Sequence, residues 1–208
     1  MPQRKVARFR QNPRFQMTTN LIRVGHGYDL HRLEPLAPAG QGKPFVLGGI
    51  FIHHDRGPVG HSDGDALLHA VTDAILGALA LADIGQLFPD TDPQWAGKDS
   101  AHFLRAALGL MREKKFQLSN LDATVICERP KIGPVKEKIR ANLAQLLGCD
   151  ASQINVKGKT HESVDAVGEG RAIEVHCVAL LTSASCPNDN FLFSKNAGSV
   201  DFYSQPAE

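Results

Sequence analysis

The segment "GHGYDLHRL", residues 25–33, predicts a strand with one face almost bare. Successive side chains of a strand point to opposite sides, so Gly25, Gly27, Asp29 and His31 share a face. A strand that only had to pack would carry Val or Ile there. We expect the two glycines to let a partner chain or another sheet approach closely, with plain β-bulges as the alternative. The same face then presents a carboxylate and an imidazole.

Apolar periodicity predicts three helices, at 63–82, at 100–115 with Ser100 as its cap, and from Pro134 to a stop at Gly148. Short apolar runs between turn signals predict strands at 21–31, 43–52, 120–128, 154–160 and 172–181. The order of these elements is typical of an α+β fold, in which a small mixed sheet carries helices packed on one face.

The chain is expected to hold one domain at 21–182, between a disordered basic N-terminal arm at 1–20 and a C-terminal tail at 183–208. A net charge of +1 predicts neither a nucleic-acid nor a membrane partner. The most apolar run has nine residues, which is too short for a transmembrane helix. Four widely spaced cysteines indicate reduced thiols. We therefore expect a cytoplasmic location, with the plastid stroma as the alternative because the arm is rich in arginine and lacks acids.

A three-ligand metal site is predicted from Asp29, His31 and His69. Two imidazoles and one carboxylate with an open fourth position are typical of catalytic zinc. Asp65 and Asp73 stand four residues before and after His69, so all three share one helix face. Asp73 is expected to take the second ring proton of His69 and orient it, with Asp65 as the alternative.

Two further segments carry groups suited to phosphate. His61 and Ser62 precede a helix, whose N-terminal N–H groups favour an anion, although simple capping by Ser62 is equally expected. Thr160 and Glu162, in "KTHE", offer a phosphate contact and a magnesium contact, with helix capping by Thr160 as the alternative. The loop "FPDTD" at 88–92 offers two further carboxylates to the site. The alternative is that they belong to an ordinary exposed loop.

Five motifs together resemble the 2-C-methyl-D-erythritol 2,4-cyclodiphosphate synthase family: RVGHGYDLHRL, HSDGDALLHAVTDAILGALALADIGQLFPDTDP, NLDATVICERPKIGP, INVKGKTHE and VALL. They follow the family's order between Ile22 and Thr182. The resemblance implies a homotrimer of α+β subunits with active sites between neighbours. It also implies a substrate, 4-diphosphocytidyl-2-C-methyl-D-erythritol 2-phosphate, whose 2-phosphate attacks the β-phosphorus and expels CMP.

The resemblance also assigns roles residue by residue. Asp29, His31 and His69 match the zinc ligands, and Glu162 matches the ligand of a magnesium or manganese ion that bridges two substrate phosphates. His61 and Thr160 match the residues that polarise the transferring phosphoryl group. Other substrate-binding positions fall into a methylerythritol group and a cytidine and phosphate group: Ser62, Asp83, Gly85, Phe88 and Asp92, then Cys127, Lys131, Ile132, Gly133 and Lys159.

The chain departs from the family pattern where many bacterial members line a central cavity for an isoprenoid diphosphate. Ala166 replaces an aromatic residue, and Glu169 and Arg171 reverse an Arg-x-Glu pair. Two other functions remain as alternatives. One is a metal-dependent phosphohydrolase, which the residues alone favour and which would release free phosphate. The other is a nucleotide-binding module without turnover.

Overall fold

The fold, taken from a computed structural model, is described for residues 21–95 and 97–183. The predicted arm at 1–20 lies outside these residues, and so does the tail predicted at 183–208, except for Ser183, which ends a strand. The strands are β1 Ile22–Pro35, β2 Val46–Leu47, β3 Ile50–Phe51, β4 Arg56–Pro58, β5 Phe116–Ile126, β6 Ile154–Lys159 and β7 Ala172–Ser183. The helices are α1 Ala66–Ala78, α2 Ile84–Leu87, α3 Ser100–Glu113, α4 Lys136–Leu147 and α5 Asp165–Gly168. Short 3₁₀ turns lie at Pro93–Trp95, Gly133–Val135 and Ala151–Gln153.

Five strands form one mixed sheet in the order β4-β1-β7-β5-β6. The long strands β1 and β5 both pair antiparallel with β7, whereas β5 and β6 run parallel and are joined through α4. Helices α1, α3 and α4 pack on this sheet and bury the core. The predicted α+β class with a mixed sheet is confirmed.

The alternation predicted for β1 is present. Gly25 and Gly27 are buried toward the helices, while Val24, His26 and Tyr28 are exposed on the other side. The close neighbour of the glycines is α1 of the same chain, so the expectation of a partner chain or second sheet was wrong. A methyl group on Gly25 would lie 1.9 Å from the carbonyl oxygen of Ala74 in α1. The missing side chains therefore bring helix and sheet backbones together.

The helix caps differ from those predicted because aspartates take the capping positions. Asp65 is the N-cap of α1 and accepts from the Leu68 N–H, whereas Ser62 Oγ accepts from the Gly64 N–H before the helix. Asp99, not Ser100, caps α3. Helix α1 thus begins at Ala66, later than predicted, and His69 stands in its first turn.

The predicted C-terminal stop of α4 is confirmed. Gly148 adopts the left-handed conformation, with φ of 67°, that favours glycine after a helix. Across the residues that the structure describes, no helix is both long and apolar enough to cross a bilayer.

Candidate active site

One strand and one helix of the chain bring three metal-binding groups together. Asp29 and His31 project from the helix-facing side of β1, and His69 comes from the first turn of α1. One ligand atom from each lies within 4.8 Å of the others. Asp29 Oδ2 is 3.1 Å from His69 Nδ1 and 3.3 Å from His31 Nδ1. Asp29 Oδ1 accepts from the Leu30 N–H, which fixes the carboxylate.

The environment of this cluster fits a bound metal ion. The buried Nδ1 of His31 has no hydrogen-bond partner among the described residues. Burial lowers the pKa of His31, which favours the neutral ring that a metal requires. Burial also opposes charge on His69, but the hydrogen bond and charge of Asp29 outweigh it and raise the pKa of His69. A positive ion would suit this environment, because a neutral imidazole can offer it a nitrogen lone pair and its charge would offset that of Asp29.

Neither Asp65 nor Asp73 hydrogen-bonds to the His69 ring, so the predicted orienting role of both was wrong. Asp65 is fully buried and accepts backbone N–H bonds from Gly48, Gly49 and Leu68. Asp73 Oδ1 accepts from the Ile84 N–H at 2.8 Å. Burial raises the pKa of both carboxyl groups. Both acids hold backbone in place around the site.

Two hydroxyl groups stand beside His69: that of Ser62, which was predicted to bind substrate, and that of Ser100, which was predicted only as a helix cap. Its Nε2 atom is 2.9 Å from Ser100 Oγ and 3.2 Å from Ser62 Oγ. The Ser100 hydroxyl donates to Asp63 Oδ1. No local pattern reveals this contact, because Ser100 is 31 residues from His69 and has the usual sequence context of a helix cap.

A cavity of about 270 Å³ adjoins the cluster. It is lined by His31, Gly60, His61, Ser62, His69, Ile84, Gly85, Phe88, Asp90, Trp95 and Phe103. Six of the predicted site residues line it, namely His31, His61, Ser62, His69, Gly85 and Phe88. The ring of Phe88 packs 4.8 Å from that of Phe103 and 5.2 Å from that of Trp95, centroid to centroid. Phe88 was predicted as a site residue, whereas its aromatic neighbours Trp95 and Phe103 were not.

Asp83 and Asp92 do not line this cavity, although both were predicted to bind the same substrate group. Asp83 caps α2 and accepts from the Gln86 N–H at 2.8 Å. Asp92 Oδ1 accepts from the Gln94 N–H at 3.0 Å. Both carboxylates shape the loop that carries the cavity's aromatic residues.

A second cavity, of about 520 Å³, gathers the predicted cytidine and phosphate residues. Its lining is Cys127, Lys131, Ile132, Gly133, Pro134, Lys136, Gly158, Lys159, Thr160 and Glu162. Thr160 Oγ1 donates to Glu162 Oε1 at 2.7 Å, and α5 is capped at Val164. The alternative of helix capping by Thr160 is therefore wrong.

The backbone that presents Glu162 is strained. Glu162 has a φ of 50° and Ser163 a φ of 63°, in the left-handed region that non-glycine residues rarely occupy. Such strain persists only where the surrounding structure holds it. Within one chain the metal-binding cluster and Glu162 belong to different cavities.

An α+β domain whose sheet and first helix converge on an open two-histidine, one-aspartate cluster belongs to the class of metal-dependent enzymes. The sequence model of the YgbB family matches residues 22–182, and the chain belongs to this family, whose curated relatives are named 2-C-methyl-D-erythritol 2,4-cyclodiphosphate synthase.

Two relatives show the range of similarity. A rice protein of that name, described as chloroplastic, is 60% identical over 160 residues, which cover 77% of this chain and 69% of that protein. A protein of the same name from Idiomarina loihiensis is 49% identical over 162 residues, which cover 78% of this chain and 98% of that protein.

Solved structures agree with the fold. The structure of IspF from Plasmodium falciparum in complex with CDP has a TM-score of 0.69 and 41% identity, and the match covers 79% of this chain and 97% of that one. A 2C-methyl-D-erythritol-2,4-cyclodiphosphate synthase in a CDP-bound form has a TM-score of 0.68 and 39% identity, covering 76% of this chain and 99% of that one.

Proposed function

We propose that this chain converts 4-diphosphocytidyl-2-C-methyl-D-erythritol 2-phosphate to 2-C-methyl-D-erythritol 2,4-cyclodiphosphate with release of CMP. The observation that carries the proposal is the convergence of Asp29, His31 and His69 at one wall of a cavity in a chain of this family. The reaction serves the non-mevalonate route to isoprenoid precursors. By reaction type the enzyme is a phosphorus–oxygen lyase.

We infer that Asp29, His31 and His69 hold Zn²⁺ and that Glu162 holds Mg²⁺ or Mn²⁺. Bound there, the two ions supply positive charge that polarises the phosphoryl oxygens and stabilises the leaving phosphate. The ligand chemistry supports this division. Two imidazoles and one carboxylate suit zinc, whereas a lone carboxylate that completes its shell with phosphate oxygens suits magnesium.

The first cavity is proposed to bind the methylerythritol part. Its wall of Ile84, Phe88, Trp95 and Phe103 suits the carbon skeleton and excludes water from the reacting phosphates. Ser62 and the exposed His61 lie at the polar side of the same cavity. His61 and Thr160 would donate hydrogen bonds to the phosphoryl oxygens. Because ring closure is intramolecular, orientation of the two phosphates is the main task, and good orientation supplies roughly 7–11 kcal/mol.

The second cavity is proposed to bind the cytidine diphosphate part. Lys131 and Lys159 bring positive charge to its wall, and the backbone at 131–133 offers polar groups to the base. Two solved relatives are complexes with CDP, which supports a cytidine diphosphate ligand for this chain. Asp83 and Asp92 are also proposed to bind substrate. They would do so either by releasing the backbone N–H groups that they now accept from, or by shaping the loop that contacts the substrate.

A complete site is proposed to form between neighbouring chains of a homotrimer. The substrate must reach both the metal cluster and Glu162, and one chain places these in separate cavities. The sheet face opposite the helices exposes large apolar side chains, as an interface requires. They are Ile22, Val24, Tyr28, Leu30 and Val178.

The compartment is proposed to be the cytoplasm, with the plastid stroma as the alternative, since relatives described as chloroplastic and bacterial relatives match the same residues. The proposed division of the chain remains a basic arm at 1–20, a synthase domain at 21–182 and a tail at 183–208.

One assay separates the proposed reaction from its alternatives. Metal-replete protein is incubated with the cytidylyl substrate, and the products are followed by phosphorus NMR. The cyclase yields CMP and a cyclic diphosphate in equal amounts. Free phosphate would identify a phosphohydrolase, and unchanged substrate that nevertheless binds would identify a nucleotide-binding module.

A further inference from the structure

Behind His69, on the side away from Asp29, a short hydrogen-bonded chain leads to a second carboxylate. His69 Nε2 is 2.9 Å from the hydroxyl of Ser100, the fully buried first residue of α3. That hydroxyl donates to Asp63 Oδ1. Asp63 Oδ2 also accepts from the Ser100 N–H at 3.2 Å, so the serine is held through both backbone and side chain.

The chemistry of these groups fixes which atom donates in each hydrogen bond between His69, Ser100 and Asp63. An ionised carboxylate only accepts hydrogen bonds. The Ser100 proton is therefore used by Asp63, and the Ser100 oxygen can only accept from the ring. Nε2 of His69 must then carry a proton. In the neutral ring that a metal requires, the lone pair is therefore on Nδ1, the atom that lies 3.1 Å from Asp29 Oδ2.

The other hydroxyl near Nε2 does not set a direction. Ser62 Oγ is 3.2 Å from the ring and accepts from the Gly64 N–H, but its own proton is uncommitted. It can donate or accept. Of the two hydroxyl groups near Nε2, only that of Ser100 thus requires a proton on this nitrogen.

We propose that Asp63 and Ser100 are positioning residues that hold His69 as the Nε2–H tautomer, with its Nδ1 lone pair directed at the Asp29–His31 cluster. The inference rests on the metal site proposed above and adds the residues that orient one of its ligands. Histidine ligands commonly donate their second ring N–H to such outer groups, whose loss costs about 10–100-fold in metal affinity.

Two substitutions change the hydrogen bonds between Asp63, Ser100 and His69 in different ways. In Asp63→Asn the side-chain amide can donate to Ser100, which turns the hydroxyl so that it donates to Nε2 and moves the ring proton to the ligand atom. Ser100→Ala removes the acceptor of the Nε2 proton without reversing the hydrogen bonds. It should therefore lower the zinc affinity less. Asp99→Asn is the matched control, because Asp99 caps the same helix through the Ala101 N–H and does not contact His69.

The experiment measures zinc affinity by chelator competition and ring protonation by long-range ¹H–¹⁵N NMR of the zinc-loaded protein. We expect a proton on His69 Nε2, a loss of about 10–100-fold in affinity for Asp63→Asn, a smaller loss for Ser100→Ala and no loss for Asp99→Asn. Equal affinities for Asp63→Asn and Asp99→Asn, or a proton on Nδ1 in the unsubstituted protein, would overturn the proposal.

His69→Ala separates this inference from the proposed metal site, with His53→Ala, at an exposed position, as its control. If His69→Ala keeps full zinc, the metal site itself is wrong. If His69→Ala loses zinc but Asp63→Asn matches Asp99→Asn, only the positioning role is wrong. Should Asp63→Asn fail to fold by circular dichroism, Ser100→Ala carries the same two measurements, and wild-type affinity in that variant contradicts the proposal.

Discussion

Gly27 in β1 lies so close to Ala70 in α1 that a methyl group on Gly27 would sit 1.8 Å from the Ala70 carbonyl oxygen. Ala70 directly follows His69, and Gly27 is two residues before Asp29 on the same strand face. The close approach of these backbones therefore sets the distance between the strand-borne ligands and the helix-borne one.

Gly27→Ala should lower the free energy of unfolding by about 3 kcal/mol or more, because backbone atoms cannot move aside as a side chain would. It should also weaken zinc binding, since α1 must retreat from β1. Urea unfolding and chelator competition measure the two effects. Gly109→Ala, in α3 with no atom within 4 Å of the added methyl group, is the control and should stabilise by about 0.5–1 kcal/mol. Equal stabilities for the two variants would contradict this packing.

Glu162→Gln should abolish turnover that depends on Mg²⁺ or Mn²⁺ while leaving bound zinc in place. The amide keeps the shape of the side chain but loses the charge that attracts a hard cation. Metal content by elemental analysis and turnover across a magnesium titration check both parts. The control is Glu137→Gln, which removes only an exposed ion pair with Arg140, of little energetic value. Loss of zinc with retained turnover would mean that the two metal sites have been exchanged.

Cys127 and Cys177 should resist alkylation in the native protein at pH 8. Burial raises the pKa of both thiols to about 12, so only ~10⁻⁴ of each is thiolate at that pH. Their reaction with iodoacetamide should therefore rise as the pH rises toward 12 and should become fast in urea. Peptide mass spectrometry measures each site, and the less buried Cys149 serves as the internal comparison. Rapid native labelling of Cys127 at pH 8 would contradict the buried environment.

Geranyl diphosphate should bind weakly and hardly change the melting temperature. An isoprenoid diphosphate needs cations for its head group, and Arg171 donates from Nε to Glu169 Oε2 at 2.6 Å within the chain. Ala166 offers no aromatic wall for the tail. A thermal-shift titration with inorganic diphosphate as the control tests this, because stabilisation follows RT ln(1 + [L]/Kd). Glu169→Arg is the matched variant and should strengthen binding. A saturable rise specific to geranyl diphosphate at micromolar ligand would show that another cation receives the head group.

The sequence predicted the side of β1 that carries Asp29 and His31, because strand alternation depends only on the local backbone. It also placed His69 on the helix face that meets them. It could not show that Gly25 and Gly27 serve the approach of α1, since a bare face indicates that something comes close without saying what.

The residues around His69 were harder to predict. Asp65 and Asp73 have the spacing of helical neighbours, but the fold uses their carboxylates for backbone N–H groups of other segments. The groups that do meet the ring, Ser62 and Ser100, come from a loop and from another helix. Contacts of this kind depend on how α1 and α3 pack, which no periodicity records.

The division of functional residues between two cavities has a genetic consequence. Suppose that each site of a trimer takes its zinc ligands from one chain and its Glu162 from the next. Mixed trimers of two different inactive variants can then contain active sites. In a cell that expresses a His69→Ala chain and a Glu162→Gln chain equally, random assembly would leave about one quarter of the interfaces with both halves intact, because the contacts are head-to-tail. Such alleles would complement each other, whereas two alleles altered in the same half would not.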